Sequence, residues 1–342
     1  MHEQRKLDHL RICLEKAPQF SDRTTGFERY YFIHQALPEI DLEAIDLSCE
    51  LLGKVLAAPL VVSCMTGGTD MANRVNQTLA EAAQRLGLAM GVGSQRAALE
   101  EPSLAYTYQV RDVAPNILLF ANLGAVQLNY GYGVEECQEA VEMIEADALV
   151  LHLNPLQECL QRGGNTKFAS LAKRIEEICR HLKVPVLVKE VGWGISARAA
   201  GMLQSAGVAG IDVAGAGGTS WSAVERERAE DSRSHSVAEA FADWGIPTVE
   251  SIAMVRAAAP DVSVIGSGGI RTGIDVAKAI AVGAHAVGIA APLLAPATVG
   301  VAAVVAKLEE IIDPLRIAMF CIGAGDLDSL RDTPLLRRVG GP

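Results

Sequence analysis

The sequence predicts an α/β fold, an eight-fold (β/α)8 TIM barrel carrying an N-terminal arm and a short hairpin. Three observations predict it. Eight apolar strand-like runs recur from Leu60 to Ala291, most of them separated by amphipathic helical stretches. No G-x-G-x-x-G follows the first run and no G-x-x-x-x-G-K-[ST] occurs anywhere, which disfavours an open doubly wound sheet. Near the end of the chain Val262–Gly273 places Gly266, Gly268 and Gly269 at the carboxyl end of a β-branched run, with Arg271 beside them. A plain tight turn needs one glycine. Three of them before a helix starting near Thr272 bring backbone N–H groups close to an anion, where such barrels bind phosphate.

Taken in order, residues 1–35 are polar and mixed and read as an arm outside the repeating core. Leu47–Leu56 suggests a hairpin turning at Gly53-Lys54, and Pro59 closes this prelude, so 1–58 reads as arm and barrel-capping hairpin and 59–342 as barrel. The strand runs begin near Leu60, Leu88, Ile117, Ala148, Val184, Ala209, Val262 and Ala284. Helical stretches lie at Asn73–Leu86, Glu135–Glu145, Phe168–Leu182 and Ala197–Ala206. Between the sixth and seventh runs the spacing roughly doubles over Gly215–Trp244 and includes the charged run Glu225–His235. A long insertion at the catalytic face is a lid candidate over about 219–246; a solvated charged helix face explains the run equally well.

Composition narrows the function classes. With 342 residues, 50% of them hydrophobic, the chain buries one large core. A net charge of −11 argues against a broad nucleic-acid face. No apolar run is long enough for membrane insertion, and the charged N-terminus lacks a signal-peptide core. Seven cysteines, with no C-x-x-C pair, fit neither a zinc site nor a disulfide framework, and a cytoplasmic location is the expectation.

The strand ends carry the chemistry in a barrel. Polar or small residues stand where nearly every apolar run stops: Met65–Gly68, Gly93–Arg96, Asn122–Gly124, His152–Glu158, Lys189–Gly192, Ala214–Thr219 and Gly266–Arg271, with Ala290 and Ala291 last. Lys189 follows Val186-Leu-Val and reads as inward-facing. A buried lysine needs an anionic partner or a lowered pKa. It can form a Schiff base, pair with Glu190, or face negative charge on a flavin ring; the third reading explains the most strand ends at once. Alone, His152 is equally a satisfied core histidine, Glu158 a carboxylate at a helix N-terminus, and Arg5, Lys6 and His9 a loose terminus.

Together these motifs resemble the type 2 isopentenyl diphosphate isomerases, FMN-dependent barrel enzymes, over nearly the whole chain. The match rests on Arg5–His9, Met65–Gly68, Gly93–Arg96, Asn122–Gly124, His152–Glu158, Lys189–Gly192, Gly217–Trp221, Trp244–Thr248 and Gly266–Arg271. The resemblance implies FMN contacts at Met65, Thr66, Gly67, Ser94, Asn122, Lys189, Thr219, Gly269, Ile270, Arg271, Ala290 and Ala291. It implies diphosphate-substrate contacts at Arg5, Lys6, His9, Ser94, Gln95, Arg96, His152 and Gln157, catalytic roles for Gln157, Lys189 and His152, and Mg²⁺ on Glu158. Ala214 is a departure, since the family commonly has serine there; the N–H groups of Gly215–Thr219 are candidate replacements for the lost hydroxyl contact to the FMN phosphate.

The implied reaction is the reversible, redox-neutral isomerisation of isopentenyl to dimethylallyl diphosphate, with reduced FMN as acid and base and NADPH as the priming reductant. A homotetramer or homo-octamer is implied as well. Three other readings compete, one of them a non-catalytic flavin-binding protein. An FMN oxidoreductase of the 2-hydroxy-acid oxidase or dihydroorotate dehydrogenase type needs a late barrel histidine as base, and His285 opens its strand at the wrong end. A lysine- or metal-dependent aldolase would use Lys189 covalently.

Overall fold

The computed structural model describes the chain from His2 to Gly340, with side chains described from Lys6 onward. Eight parallel strands close into a barrel: Leu60–Val62, Ala89–Gly91, Leu119–Gly124, Ala148–His152, Val186–Lys189, Gly210–Asp212, Ser263–Ser267 and Ala286–Ile289. They pair in chain order, and the last returns to the first through Val287↔Leu60, Gly288↔Val61 and Ile289↔Val62. Continuous burial explains why each strand reads as an unbroken apolar run: helices cover the outer face and side chains fill the inner one.

The helices form where the periodicity places them. Asp70–Leu86 starts on Thr69, whose side chain accepts from Ala72 N–H, and ends on Gly87 in the left-handed region. Gly273–Val282 follows Thr272, which with Asp275 forms a reciprocal capping box. Its glycine turn therefore leads into a helix fixed at its first residue.

The hairpin consists of Cys49–Leu51 and Lys54–Leu56. Its turn is one residue earlier than the sequence suggests. Leu52 (φ 51°) and Gly53 (φ 79°) occupy the two central positions, and Lys54 already belongs to the second strand. Leu51 and Leu56 pack with Val61, Leu118, Phe120, Val150, Leu187 and Ile265, the inward residues of the lower barrel layer. The hairpin thus plugs the amino-terminal end of the barrel.

The N-terminal segment is ordered into a helix, His2–Glu15, followed by a strand, Tyr30–Phe32, that pairs antiparallel with Leu336–Arg338. The segment after the sixth strand forms two helices, Trp221–Glu227 and Ser232–Glu239. The run Glu225–His235 is split between them: Glu225 is buried, whereas Glu230–His235 faces solvent. No described helix is long and apolar enough to cross a membrane.

Candidate active site

A cavity of about 320 Å³ occupies the carboxyl end of the barrel. That lies within the range of ordinary ligand pockets, roughly 300–1,000 Å³. Of the residues that the sequence points to, it gathers Lys6, His9, Met65, Thr66, Gly67, Ser94, Arg96, Asn122, His152, Gln157, Glu158, Lys189, Thr219, Gly269, Ile270, Arg271, Ala290 and Ala291.

One expected contact is not brought there. Gln95 is fully buried, and its amide is used for structure: Oε1 accepts from Asn122 N–H at 2.9 Å and Nε2 donates to Ala140 O at 2.7 Å. Its side chain braces the second and third strands instead of reaching substrate. Arg5 lies in the N-terminal helix, but its side chain is outside the described residues.

The Met65–Gly68 loop is pinned from below. Thr66 O accepts from Gly93 N–H at 2.9 Å and Asn76 Nδ2 at 3.2 Å, and Gly68 N–H donates to Thr107 Oγ1 at 2.8 Å. A Cβ on Gly67 would lie 1.9 Å from the Tyr108 ring, so the bare backbone there makes room for a buried aromatic. Tyr108 in turn organises the arm. Its hydroxyl donates to Ser94 O at 2.8 Å and accepts from Lys6 Nζ at 2.5 Å, while Lys6 also reaches Ser94 O at 3.1 Å. Burial pushes the phenol well above its usual range, so it stays a neutral donor.

The floor is polar and inward-facing. Lys189 is buried, and its Nζ donates to the Glu190 carbonyl oxygen at 2.6 Å. The Glu190 carboxylate does not answer it by a direct contact. That carboxylate accepts the N–H groups of Val191, Gly192 and Trp193 at 2.7, 2.7 and 2.6 Å, shaping the loop after the strand. The Lys189–Glu190 pairing considered from sequence is thus a side-chain to backbone contact.

His152 bonds Asn122 Oδ1 through Nδ1 at 3.0 Å, which leaves Nε2 as an acceptor. Burial first, then the nearby charges of Lys189 and Lys6, depress its pKa to about 4. The ring is thus held neutral near pH 7 and presents no cation to a diphosphate.

Gln157 and Glu158 lie in the short helix Pro155–Leu160, both buried. Asn154 Nδ2 holds them together, donating to Gln157 Oε1 at 3.1 Å and to Glu158 Oε1 at 2.9 Å. Asn154 Oδ1 is left buried without a partner. Among the described residues no cluster of three or more His, Cys, Asp or Glu forms a metal cage. A hard dication fits here only if its remaining ligands are waters and substrate oxygens, which suits Mg²⁺.

The phosphate end is built from two interlocked glycine loops. A Cβ on Gly218 would lie 2.5 Å from Gly269 N, and one on Gly268 would lie 2.2 Å from Gly215 O. Gly215 and Ala216 spend their N–H groups on Ser267 O and Ile246 O, both at 2.8 Å. Those two cannot replace the hydroxyl missing at Ala214. Gly217, Gly218, Gly268 and Gly269 N–H have no protein acceptor among the described residues. This donor cradle, together with the unpartnered Ser63 Oγ on the cavity wall, fits the anionic tail and polar ring edge of FMN.

The arm and the segment after the sixth strand meet over this mouth. His9 Nε2 bonds Glu225 Oε1 at 2.9 Å and packs edge-on against Trp221 with centroids 5.1 Å apart. Burial alone would raise the Glu225 pKa, but the His9 bond and the His9 and Arg228 charges outweigh it and lower it. Trp221 and Glu225 therefore belong to one contact with the arm. Sequence reasoning missed Ser63, Tyr108, Asn154 and Asp212. Asp212 carried a signal, an acid inside the apolar run Ala209–Gly215; Tyr108 carried none.

Fold and site together define an FMN-dependent barrel enzyme, and the chain matches the model of the FMN-dependent dehydrogenase family over residues 3–106 and 142–337. It is 53% identical over 337 residues to the isopentenyl-diphosphate delta-isomerase of Nostoc sp., covering 98% of this chain and 96% of that one. The enzymes of the same name from Synechocystis sp. (54%, covering 98% and 97%) and Stutzerimonas stutzeri (53%, covering 97% and 96%) are similar to the same degree. The chain belongs to the FMN-dependent dehydrogenase family and, within it, to the isopentenyl-diphosphate delta-isomerases. Among solved structures it resembles a flavocytochrome b2 variant with sulfite bound (TM-score 0.71, 19% identity, covering 97% of this chain and 83% of that one). A mandelate oxidase with (S)-2-phenylpropionate is also similar (TM-score 0.67, 20% identity, 98% and 96%). At that identity the likeness concerns the fold alone.

Proposed function

We propose that this chain interconverts isopentenyl diphosphate and dimethylallyl diphosphate, with FMN seated across the barrel mouth. The observation that carries the reading is one cavity that joins a glycine donor cradle, a buried lysine and a basic arm drawn from distant parts of the chain. When bound and reduced, FMN supplies the group that gives and takes the proton, at N5. The protein supplies the rest. Lys189 would place positive charge beside the flavin ring, and Met65–Gly68 and Ala290–Ala291 would hold the ring by backbone and apolar contacts. Lys6, His9 and Arg96 are the cationic or hydrogen-bonding partners of a diphosphate, which carries roughly three negative charges near neutral pH. His152, neutral and held by Asn122, lines the substrate side of the cavity. Glu158, with Asn154 beside it, would hold Mg²⁺, whose charge would offset that of the diphosphate. Gln157 orients the alkene, and the arm with the segment near 219–246 acts as a lid that excludes water.

The same proposal includes NADPH as the reductant that primes the cofactor without being consumed each turnover. It also includes a homotetramer or homo-octamer, for which exposed apolar side chains such as Val299, 81% exposed, offer contact area. The test is an anaerobic assay with isopentenyl diphosphate, FMN, Mg²⁺ and dithionite. Wild type should turn over, and Gln157→Ala should lose at least about a hundredfold in kcat, the scale of a lost transition-state contact, while keeping FMN. Undiminished turnover with 5-deazaFMN would remove N5 from the mechanism.

A further inference from the structure

Beneath the cavity floor lies an acid that the proposed reaction leaves unused. Asp212 ends the sixth strand, 5% exposed, in register with Lys189 on one side and Ile265 on the other. Its Oδ1 accepts from Ser267 Oγ and, at 3.3 Å, from Ala214 N–H. Ser267 is itself 4% exposed and lines the cavity. A Cβ on Gly288 would touch both Ser63 Oγ at 2.5 Å and Ser267 Cβ at 2.7 Å, so the ends of the first, seventh and eighth strands meet in the same layer. The buried thiol of Cys64, raised to about 11 chiefly by burial, feels Lys189 and Asp212 with opposite sign. Acid and ammonium therefore share one low-dielectric compartment.

We infer that Asp212, held by Ser267, is a positioning residue that offsets the Lys189 charge under the cofactor ring and so sets how much more tightly the protein holds reduced than oxidised FMN. This rests on the reading that FMN occupies the cavity. Two electrons and one proton, delivered by an external reductant, convert oxidised FMN to its anionic reduced form. A fixed negative charge nearby disfavours that anion, and a fixed positive charge favours it. Lys189 alone would bind reduced FMN very tightly and oxidised FMN comparatively weakly. With Asp212 present the difference is smaller, which lets the protein retain the cofactor in both states.

The experiment measures dissociation constants of oxidised and dithionite-reduced FMN, anaerobically, for wild type, Asp212→Asn, Ser267→Ala and the double variant. Asp212→Asn keeps the shape and removes the charge. It should shift the ratio of the two constants at least about tenfold toward reduced FMN, equivalent to about 30 mV upward for a two-electron couple. Ser267→Ala should shift it the same way by less, and should add nothing in the Asp212→Asn background, because the serine acts through the acid. An Asp212→Asn protein that binds FMN with an unchanged ratio overturns the inference and leaves FMN binding intact. Wild type that binds no FMN overturns the underlying reading instead. Should Asp212→Asn fail to fold, Ser267→Ala decides: a shift toward reduced FMN supports the role, and no shift overturns it.

Discussion

The two ends of the barrel are built by the same strands and treat water in opposite ways. At the amino-terminal end, Leu51 and Leu56 of the hairpin close a layer made of Val61, Leu118, Phe120, Val150, Leu187 and Ile265. Two or three residues further along several of these strands stand Ser63, Cys64, Asn122, His152, Lys189 and Ser267. The alternation of side chains and the length of each strand decide which layer is which. The lower layer keeps the strands in register without help from polar groups. The upper layer gathers buried polar and charged groups whose cost the lower one offsets.

That contrast gives effects that should separate cleanly. Leu51→Ala empties the plug, and cavities of this kind cost about 2–5 kcal/mol. The melting temperature should fall while the folded fraction keeps its FMN affinity; a large loss of affinity at matched folding would show that the two ends are coupled. Acid comes next. The His152 pKa is about 4 in the folded chain against 6.5 in the unfolded one, so the unfolded state binds more protons between those values. Its contribution should destabilise the apo-protein as pH falls from 6.5 to 4, by about 3 kcal/mol in all. His285, also near 4 through burial and then Arg331 and Arg256, adds in the same direction, and Glu190, raised to about 7 by burial, opposes it. Urea titrations of wild type and His152→Gln at each end of the window isolate the His152 share; parallel curves would refute it. Gly218→Ala should move both readouts. A Cβ 2.5 Å from Gly269 N crowds the two glycine loops at a cost of about 1–3 kcal/mol, so the apo-protein should melt lower and, with the donor cradle displaced, FMN affinity should drop roughly tenfold. The smallest effect belongs to Tyr108→Phe. The variant loses the hydroxyl's bonds to Ser94 O and to Lys6; the Lys6 bond, worth about 0.5–1.5 kcal/mol, sets a several-fold rise in KM for the diphosphate with kcat nearly constant.

How legible this was depended on whether the cause was local. The strands at Ala148–His152 and Ser263–Ser267 were readable because burial on both faces leaves an unbroken apolar run. Thr272 announced its helix because a cap acts within one turn. Gly268 and Gly269 announced an anion site, though not that Gly215 and Gly217 would be packed into them. The family motifs supplied most of the cavity residues, including the arm, whose composition alone reads as a loose terminus. What joins the arm to the site, His9 to Glu225 and Lys6 to Tyr108, spans more than half the chain in one case and about a third in the other. No periodicity encodes such a contact. Gln95 shows the opposite error. It sits inside a site motif, yet its side chain points into the wall, a choice made by Ala140 and Asn122 rather than by its neighbours in sequence.

The pairing of Tyr30–Phe32 with Leu336–Arg338 bears on how the molecule comes into being. One strand leaves the ribosome about three hundred residues before its mate, so the clasp cannot fasten until that much more chain has been made. The barrel has the same property, because its first strand waits for its eighth. A growing chain can therefore assemble staves but not the cask, and the arm that covers the mouth gains its anchor only after the last stave has been made.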